Sequence, residues 1–292
     1  AEGEAGQAEF GGEAFSPDAL DKFSPVIQDI QAMCRDTRLE LSAVVHEMGP
    51  AQIELNVAHG DAMSRADQLF LLKRLIKGCA NRHNLLASFM AKPLGGLPGN
   101  GLHLHCSLLD GNGDNIFRLK RRKAPPALRH FIGGLQRYLP GAMALIAPNV
   151  NSYKRFVRDL SAPINLEWGY DNRTTGLRVP FSEASAGRVE NRVAGADANP
   201  YLMIASMLAC GLLGLRQNLE PNKPFAGDAY DLESTFPDDL GEALRVLELN
   251  DELIELLGRD FVDVFVSVKR AELRDYMKMI TQWEVGYLGS AL

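Results

Sequence analysis

Cysteine is scarce in this chain, and the four it has, Cys34, Cys79, Cys106 and Cys210, form no Cys-x-x-Cys pair. Their wide spacing, with apolar neighbours at three of them, argues against a disulfide framework or a zinc centre and suits reduced core thiols, so the expected compartment is the cytoplasm. Long hydrophobic runs are also missing. No stretch approaches the roughly 18 apolar residues that span a bilayer, and the acidic, Gly/Ala-rich opening "AEGEAGQAEFGGEAF" is unlike a signal peptide. That opening has no initiating Met, which suggests a processed or truncated chain. Positive charge is not in excess: a formal net charge of −6 argues against general attraction to nucleic acid or anionic membrane, so any cationic site must be local. There is no internal repeat, no P-loop Lys-Ser/Thr and no dinucleotide-binding fingerprint. What the 292 residues do supply, at 46% hydrophobic and 23% charged, is enough apolar material for a large core.

Periodicity divides the chain into an acidic tail over 1–14 and one α+β domain over 15–292. Ser16-Pro17-Asp18 predicts a helix start, with apolar spacing to about Met33. "LELSAVVHEMGPAQIELNVAHGD" alternates, breaks at Gly49-Pro50 and alternates again, predicting two strands about a turn. "SRADQLFLLKRLIKGCANRHN" has the helical period and a capping-box-like Ser64-x-x-Asp67, and "LASFMAKP" after it reads as a strand. "LGGLPGNGLHLHCSLLDGNGDNIF" reads as a glycine-rich loop entering an alternating strand that closes at Asp110-Gly-Asn-Gly113. "ALRHFIGGLQRYLPGAMALIAP" predicts helix interrupted near Pro140, and "ANPYLMIASMLACGLLGLRQNL" a long apolar helix buried against a sheet or another helix. From "DDLGEALRVLELNDELIELLG" onward the pattern is helical and amphipathic.

Several residues carry chemistry by type and spacing. Glu47 and Glu54 flank the Gly-Pro turn, where two strands would let their carboxylates converge on a hard divalent cation; solvated strand glutamates are the plain alternative. His103 and His105 share one strand face, since side chains there repeat every two residues. Two imidazoles after a glycine-rich loop suit a metal, a phosphate or a ribose, and equally a hydrogen-bonded pair beside a turn. Arg188, Glu190 and Arg192 alternate onto one face as well. With Arg155, Arg173 and Arg178 they make five arginines among prolines and tight turns. In an acidic chain such a cluster implies an anionic ligand gripped by guanidinium groups, or else a set of structural ion pairs.

"HEMGPAQIELN", "ASFMAKP", "GLHLHCSL", "NSYKRFV", "APINLEWGYDNRTTGLRVP" and "RVENRVAGADANPYL" resemble, in order and spacing, the motifs of the glutamine synthetase family, over nearly the whole chain from about Phe15. The resemblance implies an α+β glutamine synthetase-type catalytic domain, a curved antiparallel sheet with helices packed on it. It implies that Glu47 and Glu54 ligate a first Mg²⁺ or Mn²⁺, and His103 and Glu190 a second. Arg155 and Arg192 match arginines that hold the carboxylates of glutamate, Arg173 the one that stabilises the transferred phosphoryl group, and Arg178 and Arg188 those near the nucleotide phosphates. His105 and Ser107 match positions on the ATP side of the cleft. The implied reaction is phosphorylation of glutamate by ATP, then attack of a nitrogen nucleophile, in a cytoplasmic homo-oligomeric ring with no nucleic-acid or membrane partner.

Two departures qualify the match. Ammonia-using members carry a glutamate just before the "AP" that follows "NSYKR"; here that position is Ser161, which cannot attract NH₄⁺ by charge or act as a carboxylate base. "NVAHGDAMSRADQ" and the long run after "VENR" resemble instead the γ-glutamylpolyamine synthetase-like branch, so Ser161 is expected to make room for a larger amine. The second departure is that no Glu-x-Glu strand or β-grasp domain precedes Glu47, where the family has both, leaving each metal site one carboxylate short in this chain and the chain alone expected to be weakly active. A polyamine or other primary amine is therefore the expected nucleophile. The alternatives are ordinary glutamine synthesis and a non-catalytic structural or regulatory subunit.

Overall fold

The protein's structure, a computed structural model, describes residues 13–121 and 123–289. The expected tail therefore lies, up to residue 12, outside the described residues. Phe15 already belongs to the fold, its N–H donating to His46 O at 2.8 Å.

The predicted first helix is two: α1 (Pro17–Asp21) and α2 (Ser24–Asp36). The Ser16 hydroxyl caps α1 by accepting from Ala19 N–H at 3.2 Å. Pro25, with no N–H to give, is tolerated only in a first turn and so starts a second helix. The hairpin forms as read, β1 (Leu41–His46) antiparallel to β2 (Ile53–Val57). Helix α3 (Ala62–Arg82) begins earlier than Ser64 because Asp61 is the cap, its Oδ1 accepting from Met63 N at 3.0 Å and Ser64 N at 3.1 Å. Asp67 is instead the acceptor for the Tyr201 hydroxyl. Val26, Ile27, Ile30 and Cys34 of α2 pack on Leu72, Ile76 and Cys79 of α3, with the hairpin closing this smaller core.

The strand expected over "LASFMAKP" is absent. Its main chain is met mostly by side chains rather than a ladder: Asn151 Oδ1 accepts from Lys92 N at 2.9 Å, Asn151 Nδ2 donates to Lys92 O at 2.9 Å, and Asn100 Nδ2 donates to Met90 O at 2.9 Å, with one main-chain bond from Asn100 N to Ala91 O at 2.8 Å. With those groups paired, extended backbone needs no neighbouring strand.

The main core is built on α4 (Pro126–Ile146) and α6 (Pro200–Gln217). Pro140 does not interrupt α4. An internal proline costs about 3 kcal/mol, but Leu135, Leu139, Met143 and Ile146 are fully buried around it, and each such side chain returns about 1.5–3 kcal/mol. The two helices approach backbone to backbone. A Cβ on Gly134 would lie 2.2 Å from Cys210 O, and one on Gly214 would lie 2.2 Å from His130 O. Gly134→Ala should therefore destabilise the fold by about 1–3 kcal/mol through overpacking, read as a lowered melting temperature; Gly111→Ala, which meets nothing, is the control.

On this core lies a four-stranded sheet in the order β3 (Leu104–Cys106), β6 (Val189–Asn191), β5 (Leu177–Val179), β4 (Trp168–Tyr170). β3–β6 and β6–β5 are antiparallel, while β5–β4 is parallel. The short α5 (Val150–Tyr153) leads into Arg155. The expected C-terminal helices are α7 (Leu240–Glu248), α8 (Asp251–Leu257), α9 (Arg259–Tyr276) and α10 (Gln282–Leu288). No helix among the described residues is long and apolar enough to cross a membrane. Cys34, Cys79 and Cys210 are buried free thiols, and Cys106 is free and half-buried.

Candidate functional site

The hairpin brings its two acids together. Val45 pairs with Glu54, and Glu47 N donating to Gln52 O at 2.7 Å carries the pairing one step past the strand. Burial first, then the charge of Glu54 and a hydrogen bond between the two carboxyls, raise the Glu47 pKa, against a hydrogen bond from the Met48 main chain and the positive charge of Arg173. Two touching carboxylates resist joint ionisation unless a proton or a cation sits with them. Gln52 then ties the hairpin to the glycine-rich loop, its Nε2 donating to Asn100 Oδ1 at 2.7 Å and Gly99 O at 3.1 Å.

The sheet supplies the second group. His105 is opposite Glu190, and Glu190 is opposite Arg178, so one cross-strand row holds imidazole, carboxylate and guanidinium. Period-two alternation puts His103 and Ser107 beside His105, and Arg188 and Arg192 beside Glu190. Glu190 is 2% exposed. Arg192 Nη1 donates to its Oε1 at 3.0 Å, Arg178 Nη1 to its Oε2 at 2.8 Å, and His103 Nδ1 lies 3.3 Å from Oε1. Burial alone would raise the Glu190 pKa, but His103, Arg192, His105 and the Arg178 hydrogen bond overcome it and hold the carboxyl at about 2. Removal from water, then the charge of Arg192, pushes His103 down to about 3 despite Glu190. His103 is thus neutral near pH 7, and the guanidinium groups carry the charge that keeps Glu190 ionised. His105 is lowered as well, chiefly by burial, against the pull of Glu190; its Nδ1 accepts from Arg188 Nε at 3.3 Å.

The five arginines divide by what they hold. Arg155 is buried, its Nη1 donating to Val193 O at 2.7 Å and its Nη2 to Arg192 O at 3.2 Å, while Nε has no partner among the described residues. Arg178 spends both edges, on Glu190 and on Asp171, whose Oδ1 accepts from Nε at 3.0 Å. Arg192 pairs with Glu190 and leaves Nε unpartnered. Arg188 bridges His105 and Ala186 O. Arg173 differs: it is exposed, makes no hydrogen bond or ion pair among the described residues, and lies near enough to Glu47 for its charge to lower the Glu47 pKa. Ser161, also exposed, donates to the Sδ of Met48, the residue after Glu47, at 3.2 Å; its φ of +67° is left-handed.

The predicted residues thus gather in two linked groups, hairpin and sheet. Asp171 was not among them, although its carboxylate fixes Arg178; its one sequence signal is a seven-residue spacing from Arg178 on the adjoining parallel strand. Among the described residues no three His, Cys, Asp or Glu side chains form a complete metal cluster. The Glu47–Glu54 pair still fits a hard divalent cation, because like charges in contact are unspent and such cations take one or two carboxylates with water and phosphate oxygens completing the shell. On the sheet side, the neutral imidazole of His103 and the carboxylate of Glu190, 3.3 Å apart, are the groups that would share a second cation.

Three comparisons point to one family. A family model described as glutamine synthetase, catalytic domain, matches residues 2–288. Among curated proteins, the chain is 36% identical over 278 residues to gamma-glutamylputrescine synthetase PuuA of Escherichia coli, covering 94% of this chain and 59% of that protein. It is 35% identical over 287 residues to a glutamine synthetase of Pyrococcus abyssi, covering 91% and 65%. It is 34% identical over 270 residues to a glutamate–isopropylamine ligase of a Pseudomonas species, covering 90% and 58%. The solved structure of ligand-free GmaS superposes with a TM-score of 0.86 at 34% identity, over 96% of this chain and 66% of that one. The chain therefore spans about three fifths to two thirds of the length of these relatives.

Proposed function

The chain belongs to the glutamine synthetase family through the catalytic domain, and from that premise we propose that the protein is an ATP-dependent glutamate–amine ligase, a carbon–nitrogen ligase using a polyamine or another primary amine. The observation that carries the reading is the exposed guanidinium of Arg173, which makes no hydrogen bond or ion pair among the described residues and whose charge reaches Glu47, the carboxyl that the hairpin brings toward Glu54. Phosphorylating a carboxylate brings two anions together, so the site needs cationic groups that are not already spent. In this reading a glutamate γ-carboxylate oxygen attacks the terminal phosphorus of ATP, and ADP leaves. The amine nitrogen then attacks the γ-carbonyl carbon of the acyl phosphate, phosphate departs, and the amine loses a proton.

Glu47 with Glu54, and His103 with Glu190, would hold Mg²⁺ or Mn²⁺, which when bound offsets phosphate charge and polarises phosphoryl oxygens. The chain's own residues do the rest. Arg173 meets the charge on the transferring phosphoryl group. Arg155 and Arg192 fix the acid substrate, Arg155 largely by shaping main chain at 192–193 and Arg192 from the floor of the site. Arg178 and Arg188 keep Glu190 and His105 in place beside Ser107 on the ATP side. We read residues 15–292 as the catalytic unit of a cytoplasmic homo-oligomer.

Ser161 favours an organic amine over ammonia. An exposed hydroxyl beside a thioether offers NH₄⁺ neither charge nor a strong base. Two relatives are named for organic amines, putrescine and isopropylamine. The ammonia reading is kept alive by the glutamine synthetases of equal similarity. The test is phosphate release with ATP, Mg²⁺ and glutamate, comparing ammonium with putrescine, ethanolamine, methylamine and isopropylamine. One organic amine should stimulate release about tenfold or more above ammonium. Stimulation by ammonium alone would replace the proposal with glutamine synthesis, and no release with any nitrogen donor would favour a non-catalytic subunit.

A further inference from the structure

The segment 192–199, which joins β6 to α6, is the point where the separate parts of the site are tied together. Its first two carbonyls accept from Arg155. Ala196 N donates to Asn100 O at 3.0 Å and Leu102 N to Ala194 O at 2.9 Å, linking it to the loop before His103 and, through Gln52, to the Glu47–Glu54 hairpin. Asp197 Oδ2 accepts from Asn149 Nδ2 at 2.8 Å and Ser152 Oγ at 2.6 Å, the two residues that cap α5 immediately before Arg155.

At the centre of this segment stands a residue that no motif singled out. Lys73, on α3 and more than 120 positions away, donates through Nζ to Ala196 O and Ala198 O, both at 2.6 Å. These two carbonyls flank Asp197 and accept from no other group among the described residues. The ammonium lies over the Phe89 ring, 5.6 Å from its centroid. Burial pushes its pKa down to about 8, with Asp197 opposing the shift, so it is largely protonated at neutral pH. A charged donor shared by two main-chain acceptors is among the stronger single tethers a side chain can make.

We propose that Lys73 is a positioning residue: by clamping the Ala196 and Ala198 carbonyls on either side of Asp197, it holds segment 192–199 in the shape that places Arg155 and Arg192 for an acid substrate, without touching any reactant. The structural part stands on the geometry alone, and only the kinetic part rests on the ligase reading above.

Lys77 is the matched neighbour. Its Nζ lies 5.7 Å from the same Phe89 centroid but donates no hydrogen bond among the described residues. The experiment compares Lys73→Met, Lys73→Arg and Lys77→Met in the ligand-free chain by amide hydrogen exchange. Lys73→Met should speed exchange across 193–199 by about tenfold or more while α4 keeps its protection; Lys73→Arg should recover part of it, and Lys77→Met should change nothing. Unaltered exchange at 193–199 in Lys73→Met overturns the inference. So does loss of protection throughout the chain in both Lys73 variants, which would assign Lys73 to general packing. In an active preparation, Lys73→Met should raise KM for glutamate about tenfold with KM for ATP within twofold; an equal rise in both overturns the positioning role. If the wild-type protein releases no phosphate with any amine, the ligase reading fails while the exchange result still decides for or against the clamp.

Discussion

Replacing Arg173 with methionine should lower amine-dependent phosphate release about 10²–10³-fold while leaving the melting temperature unchanged. The size follows from what a single preorganised cationic or donor group contributes to a transition state that gathers negative charge. The specificity follows from placement. Arg173 is exposed and makes no ion pair or hydrogen bond among the described residues, so its removal breaks neither, and surface changes of that kind stay within about 0.5 kcal/mol. Arg173→Lys should recover only part of the loss, since a point charge does not reproduce the planar fork of a guanidinium. Measuring kcat, KM for glutamate and thermal melting on the three proteins checks it: a variant that melts earlier, or that loses activity only through KM, would remove Arg173 from the reacting centre.

The faces of the site could be read from the chain because strand periodicity is local. The spacing of His103, His105 and Ser107, and of Arg188, Glu190 and Arg192, assigns each triplet to one side of its strand before any partner is known. That β3 lies beside β6, 85 residues on, is set by tertiary packing, and no local pattern carries it. The same limit explains the arginines. Composition says that five guanidinium groups gather in an acidic chain, but only the cross-strand register shows that Arg178 is consumed by Glu190 and Asp171 while Arg173 is free of such pairs. Lys73 was invisible for a related reason, since it lies in the helical period of α3 and its acceptors are main-chain carbonyls that have no residue identity.

Proline makes the point about elements. Pro25 starts a new helix and Pro140 sits within one, although both carry the same backbone restriction. The difference is the fully buried apolar surface around Pro140, which outweighs the missing hydrogen bond. "LASFMAKP" has strand composition but its partners are Asn100 and Asn151, mostly through their side-chain amides. Both outcomes depend on residues remote in sequence, and the tightly local elements, the hairpin and the Ser16-capped start of α1, are correspondingly the legible ones, whereas the cap of α3 is Asp61 and not the Ser64 that the pattern suggests.

Glu190→Gln should destabilise the chain by about 3–5 kcal/mol and flatten its acid limb. The carboxylate is 2% exposed and receives hydrogen bonds from Arg178 and Arg192, themselves nearly out of water. An amide of the same shape leaves the buried guanidinium of Arg192 without a counter-ion and that of Arg178 with Asp171 alone, which costs more than an intact pair contributes. The pH dependence has a definite sign. The folded-state pKa of Glu190, about 2, lies below the ordinary glutamate value, so the unfolded chain binds more protons between the two. The stabilisation is therefore present in full above the unfolded pKa, near 4.3, and is lost as pH falls through about 2, an effect on the order of 3 kcal/mol. Urea unfolding of both proteins between pH 7 and pH 2, with chelator present to keep bound metal out of the comparison, should show the wild type losing stability over the acid range and Glu190→Gln losing correspondingly less. Parallel curves for the two proteins would mean that Glu190 is not held ionised by Arg178 and Arg192, and the order imposed on the sheet side of the site would then have to come from His103 and His105 instead.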